Sequence, residues 1–218
     1  MKSDSDIQRD IEAELRWIPE VDEKDIAVKV TQGTVALTGF VHSYFDKYEA
    51  ERAAKRVSGV LAVANDLEVR LPSANQLSDP EIARNVAAAI QTALPMQHEK
   101  VKAVVQNGYV TLEGVLDWEF QREEVARAVR LQRGVKSTIN SITLRPRVIP
   151  SDIKRSIQSA LVRDAQIDAS HISVEAHDGT VVLEGKVRSW AEREEAQRTA
   201  WAAPGVLHVK NNIEIRVS

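Results

Sequence analysis

The chain has 218 residues, no cysteine and a formal net charge of −3. Its 43% hydrophobic and 28% charged content is that of an ordinary globular chain. No apolar run approaches the roughly 20 residues of a membrane span. The missing cysteines exclude disulfides, thiolate metal sites and a thiol nucleophile. Residues 1–74 carry 10 Lys and Arg against 14 Asp and Glu; residues 75–146 carry 9 against 8, and residues 147–218 carry 10 against 10. None of these segments has the clustered positive charge of a general nucleic-acid footprint, so no nucleic-acid partner is expected. An anionic surface would be met better by the second and third segments than by the acidic first.

In chain order, Ile7, Ile11 and Leu15 recur at helical spacing. Ile26, Val28 and Val30 then alternate with polar residues, and after Gln32-Gly33 so do Val35 and Leu37. A second helix is predicted near 43–57, ended by Gly59, and a last strand carries Leu67 and Val69. The same series returns 75 positions later and again 71 positions after that. Ser78-Asp79-Pro80-Glu81 opens the second copy as a capped helix start, and Pro150-Ser151-Asp152 opens the third. Asn107-Gly108 and Asp178-Gly179 are strong hairpin-turn pairs. Gly33, Gly39 and Gly59 correspond to Gly108, Gly114 and Gly134, then to Gly179, Gly185 and Gly205. These nine glycines are expected to be structural, serving turns and close backbone approaches. No gap is needed within a copy, so the difference in spacing falls between copies, where linkers tolerate it.

Each copy thus reads α-β-β-α-β. The expected fold class is α+β: three tandem domains at 1–71, 78–146 and 150–218, each a three-stranded mixed sheet with two helices packed on one face. Strand order 1-2-3 is expected, the third strand lying parallel to the second through the crossover helix. Linker 72–78 is polar, and linker 146–150, flanked by Pro146 and Pro150, is expected to be stiffer. The sequence leaves open whether the copies cluster or form a string.

The turn glycine, the Val-x-Leu-x-Gly strand (Val35 to Gly39, Val110 to Gly114, Val181 to Gly185), the Gly-Val after helix 2 and the Asn before the last strand resemble the BON domain. That family is named after a bacterial osmotically induced periplasmic protein and nodulation-related proteins, and three copies cover nearly the whole chain. The resemblance is to cytoplasmic, triple-BON proteins of bacteria. It implies a non-catalytic module linked to osmotic or envelope stress and proposed to contact anionic phospholipid membranes. The acidic start, Met1-Lys2-Ser3-Asp4-Ser5-Asp6, lacks the apolar stretch of a secretory signal, so with Met1 as the native start the expected location is cytoplasmic.

Residue patterns that could carry chemistry are few. No phosphate-binding glycine loop or serine-nucleophile signature occurs. His42, His98, His171, His177 and His208 share no position among the copies, so neither metal nor cofactor is expected. Glu49-Arg52, Glu124-Arg127 and Glu195-Arg198 recur at i, i+3, the spacing of helix-surface ion pairs. Asn65, Asn140 and Asn211 are expected to satisfy a neighbouring turn. Aromatics gather at the start of helix 2: Tyr44, Phe45, Tyr48, Trp118, Phe120 and Trp190. With Arg122, Arg188 and Arg193 nearby, Trp118, Phe120 and Trp190 form the candidate surface for anionic phospholipid, the rings at headgroup depth and the cations on phosphate. Packing within and between copies is the competing use of those residues. Two further readings remain: a potassium or small-ligand sensor, with Asp22, Glu23 and Asp25 in one short loop as the place to look, and a protein-interaction or chaperone-like scaffold.

Overall fold

The structure is a computed structural model that describes residues 2–19, 21–72, 76–145, 152–164 and 167–216. Residues 73–75 and 146–151 lie outside it, and with them most of what the sequence suggested about the two linkers.

The first copy comprises α1 (Asp4–Arg16), β1 (Ile26–Thr31), β2 (Thr34–Val41), α2 (Tyr44–Arg56) and β3 (Ala62–Val69). The second comprises α3 (Asp79–Ala93), β4 (Val101–Gln106), β5 (Tyr109–Leu116), α4 (Glu119–Arg130) and β6 (Ser137–Leu144). The third comprises α5 (Ile153–Arg163), β7 (Ile172–His177), β8 (Thr180–Val187), α6 (Trp190–Trp201) and β9 (His208–Ile215). Each copy has one sheet of order 1-2-3, the first pair antiparallel and the second parallel. The chain is α+β, with three tandem domains of one design.

Local rules explain the elements. Ser3, Ser43 and Ser189 accept hydrogen bonds from the backbone N–H three residues on, so three helices start on a serine N-cap. At Ser78 the reciprocal Glu81 carboxylate also accepts from the Ser78 N–H, at 2.8 Å. Each hairpin turns through two residues of positive φ: Gln32 and Gly33, Asn107 and Gly108, Asp178 and Gly179. This is the two-residue turn whose twist matches the strands it joins. The glycine ending the Val-x-Leu-x-Gly run has a different reason: a Cβ on Gly39, Gly114 or Gly185 would overlap the carbonyl oxygen of Asp25, Lys100 or His171.

Two features were not anticipated. Asp4 reaches from the start of α1 to accept from the turn amides of Gln32 and Gly33, at 2.7 and 3.0 Å. Asp79 does the same for Asn107 and Gly108 at the same distances. The recurring asparagine also differs from expectation in the first and third copies, where it serves the strand-helix contact. Asn65 donates to the Lys47 carbonyl and the Glu51 carboxylate of α2 and accepts from Leu67 N–H, stitching β3 beneath the helix. Asn211 repeats this with the Arg193 carbonyl, Gln197 and Ile213.

Each copy has its own core. In the first, Ile7, Ile11 and Leu15 meet Val35 and Leu37, and Ala50, Ala53 and Ala54 let α2 sit close on the sheet. Burial of side chains this size stabilises by about 1.5–3 kcal/mol each. The cores are not sealed from one another, because Tyr44 of the first copy packs on the second core and Trp190 of the third packs on the first. Helix 2 of every copy thereby becomes a contact element, and its exposed end a candidate site.

Candidate functional site at the start of helix α4

Contacts among α2, α4 and α6 follow one head-to-tail rule. Tyr48 of the first copy lies under Arg130 of the second, whose guanidinium carbon is 3.4 Å from the ring centroid. Arg122 of the second lies 4.8 Å from the Trp201 ring of the third. The third returns to the first: Glu194 pairs with Lys55 at 3.2 Å, and the Trp190 indole N–H donates to the Leu61 carbonyl at 3.1 Å. The repeat offsets put Lys55, Arg130 and Trp201 at one position of the domain. Each is the residue contacted by the preceding copy. The chain closes on itself as a pseudo-threefold ring of helices.

The seams differ in chemistry. Tyr44, Glu119 and Trp190 are equivalent by the repeat, but only the first and third are aromatic. Glu119 pairs with Arg122 at 2.8 Å through one oxygen, while the other is buried without a hydrogen-bond partner. Burial pushes its carboxyl above the usual glutamate range, and Arg122 only partly opposes this. Around Lys55 the balance is reversed. Burial would lower the ammonium, but Glu51 and Glu194 outweigh it and raise it. Burial likewise opposes the Glu51 carboxylate, which hydrogen bonds from Lys55 and Asn65 nonetheless hold low.

These seams absorb two of the six candidate residues, and a third is held within its own copy. Trp190 and Arg122 have the contacts just given. Arg193 stacks 5.0 Å from the Trp190 ring and donates to the carbonyls of Asn211 and Ile213. Arg188 points elsewhere, bonding the Glu192 carboxylate that holds the start of α6. The three i, i+3 Glu-Arg pairs all form as helix-surface pairs.

Trp118 and Phe120 stand two positions apart at the start of α4. Phe120 is 68% exposed. Trp118 is half-buried and stands at the N-cap position, where the other two copies have Ser43 and Ser189. An indole cannot accept the N–H bonds that a serine hydroxyl accepts, and replacing a good N-cap typically costs about 1 kcal/mol. The Gln121 side-chain oxygen accepts from the N–H groups of Asp117 and Trp118, as the equivalent Glu192 of the third copy accepts from Arg188 N–H. Asp117 lies 3.1 Å from Lys100 and 3.7 Å from Arg145. With the Glu119–Arg122 pair, this corner holds Asp117 and Glu119 against Lys100, Arg122 and Arg145.

Among the described residues no group of three or more His, Asp or Glu side chains converges as a metal site would. Asp22 is committed to its own loop, accepting from Lys24 N–H at 3.1 Å; the Glu23 side chain lies outside the described residues. No described helix is long and apolar enough to cross a membrane.

A family model for the BON domain matches residues 3–70, 78–146 and 151–217. The chain belongs to this family. Osmotically-inducible protein Y of Escherichia coli (strain K12) is 30% identical over 145 residues, covering 64% of this chain and 71% of that protein. An uncharacterised protein of Anaplasma centrale is 29% identical over 126 residues, covering 55% and 82%. Among solved structures, the C-terminal domain of CdsD, a structural protein of the type III secretion system of Chlamydia trachomatis, is 16% identical and covers 99% of this chain and 100% of its own. Its TM-score is 0.28, a likeness uninformative about how the BON copies are arranged.

What sequence reading missed at this site was difference. The pattern that revealed the BON repeat came from positions the copies share, whereas Trp118 stands out only when it is set against Ser43 and Ser189.

Proposed function

We propose that this BON protein is a non-catalytic binding protein of the osmotic-stress response whose second copy contacts anionic phospholipid surfaces, the first and third copies serving as its platform. The observation that carries the reading is Trp118: the second copy gives up a serine N-cap for an indole, beside an exposed Phe120. A local rule broken in one copy and kept in two is a mark of function rather than of fold. Trp and Phe are suited to headgroup depth, and the excess of Lys100, Arg122 and Arg145 over the two acids makes the corner compatible with lipid phosphate. Since Arg122 is held in a seam, ring insertion supplies most of the affinity and salt dependence is shallow. The stress context is supported by the likeness to Osmotically-inducible protein Y.

The test is liposome co-sedimentation over increasing anionic lipid, comparing the native chain with Trp118→Ser and Phe120→Ser. Trp118→Ser should lose binding while the chain stays folded, because the restored N-cap offsets the packing lost with the half-buried indole. Binding that survives both substitutions would overturn the reading and turn attention to protein ligands.

A further inference from the structure

The sheets leave one face without helices, and the second copy treats that face differently from the others. In its register, Val104 pairs with Thr111 and Thr111 with Ile139, forming one row across the outer surface. Val104 is 57% exposed and Ile139 62%, with Tyr109 exposed in a neighbouring row and Val115 one row beyond Glu113. The equivalent row is Lys29, Ala36 and Ala64 in the first copy and Glu175, Val182 and Lys210 in the third. The first copy also covers Phe40, its counterpart of Val115, with Arg70 at 4.6 Å. Charge on the open face is therefore compatible with the fold, and its removal from the central row is particular to the second copy.

We propose that this face is an isologous interface with a second copy of the same chain. Its charge pattern selects that occupant. Among the described residues, the three rows from Lys102 to Gln106 carry one cation and one anion, Lys102 and Glu113, which stand opposite each other in the register of β4 and β5. This part of the face is neutral overall and gives no electrostatic preference to an anionic or a cationic partner. It is, however, complementary to itself about a two-fold axis perpendicular to the strands. Such an axis lays the row Val104–Thr111–Ile139 on itself and brings the row Lys102–Glu113–Ser141 over the row Gln106–Tyr109–Ser137. Lys102 then meets Gln106, Glu113 meets the Tyr109 hydroxyl, and no like charges oppose each other. Aligned face-to-face sheets lie about 10 Å apart. The patch is roughly 14 by 17 Å from strand spacing and rise, small against the roughly 800 Å² per partner of a long-lived interface. The dimer is accordingly weak, with a dissociation constant in the micromolar range or above. This goes beyond the phospholipid reading and does not depend on it.

Sedimentation velocity of the full chain from micromolar to millimolar concentration tests the proposal. The native mass should rise from one chain to two and stop there, and Trp118→Ser should leave that rise unchanged. Val104→Lys with Ile139→Lys should hold the mass at one chain without altering the melt, since both side chains are exposed. Thr111→Cys provides a second measurement, because the chain has no other thiol. The two-fold places Thr111 over its own copy, too far for a disulfide but within reach of a short bis-maleimide, which should give a cross-linked dimer whose yield falls when the reaction is run on diluted protein. A native chain that stays single at the highest concentration overturns the proposal, as does growth past two or a double Lys variant that associates normally. So does liposome binding that is lost with Val104 and Ile139, which would make this face a membrane surface.

Discussion

The second copy and its two neighbours have the same strand order, the same hairpin turn and the same glycine against the same carbonyl. They differ at three places. At the N-cap of helix 2, the neighbours have serine and the second copy has Trp118. At the position that docks on the next copy, they have Tyr44 and Trp190 against a buried Glu119. On the open sheet face, they place Lys29 or the Glu175 and Lys210 pair where the second copy has Val104 and Ile139. Each departure is unfavourable by itself, since it forgoes a cap, buries a carboxylate oxygen without a partner or exposes apolar surface. Three such departures in one of three otherwise equivalent domains are the grounds for proposing that the second copy binds and the other two support it.

The strongest way to break this comparison is at the seam between the third copy and the first. Trp190→Ala removes packing on the first core, the bond to the Leu61 carbonyl and the ring beside Lys55. A loss of about 2–4 kcal/mol is expected. Urea unfolding should report it, together with faster proteolysis of the third copy. If Trp190 were a membrane residue rather than a seam residue, the substitution would leave stability intact and reduce liposome binding instead.

How legible the molecule was in its sequence depends on the scale considered. Elements, sheet order and core were readable because they repeat: Ile7, Ile11 and Leu15 recur twice, and each hairpin carries its turn pair. The seams were not readable, because they join residues that the repeat places at different positions, such as Tyr48 with Arg130 and Glu194 with Lys55. Aromatic residues beside arginine look alike in a seam and on a membrane surface. For Trp190 and Arg122 the structure shows the seam. Trp118 carried a signal that composition and clustering could not expose, since its significance lies in the serine that its position holds elsewhere.

Acid sharpens the comparison between seams. The folded-state pKa of Glu119 lies above its unfolded value because of burial, so protonation favours the folded chain. Its carboxylate weakens the fold at neutral pH, and that effect vanishes as pH falls through the folded pKa. Glu51 behaves in the opposite way. Burial opposes its charge, but Lys55 and Asn65 hold its pKa low, so its contribution is full above the unfolded value and lost as pH falls through the folded one. Glu119→Met, which removes the charge at similar volume, should therefore stabilise by about 1 kcal/mol at neutral pH. Thermal melts should show the gain shrinking towards mildly acidic pH. A gain that is constant with pH would mean that the stabilisation comes from packing alone.

The smallest effect expected is at the seam between the first and second copies, where Arg130 lies over Tyr48. Both groups are half-buried, so the cation–π contact is worth about 0.5–1 kcal/mol. Single substitutions do not isolate it, because Arg130→Gln also shortens an aliphatic stem that covers apolar surface. A double-mutant cycle with Tyr48→Leu does, since its coupling term counts only what the two side chains do together. Coupling near zero would make this seam a matter of Tyr44 packing alone. Measurable coupling would give the first and second copies a charge-linked hold on each other, as Lys55 and Glu194 give the first and third. The second copy would then be gripped by a cation it supplies itself, offsetting the aromatic that Glu119 replaces at its other seam.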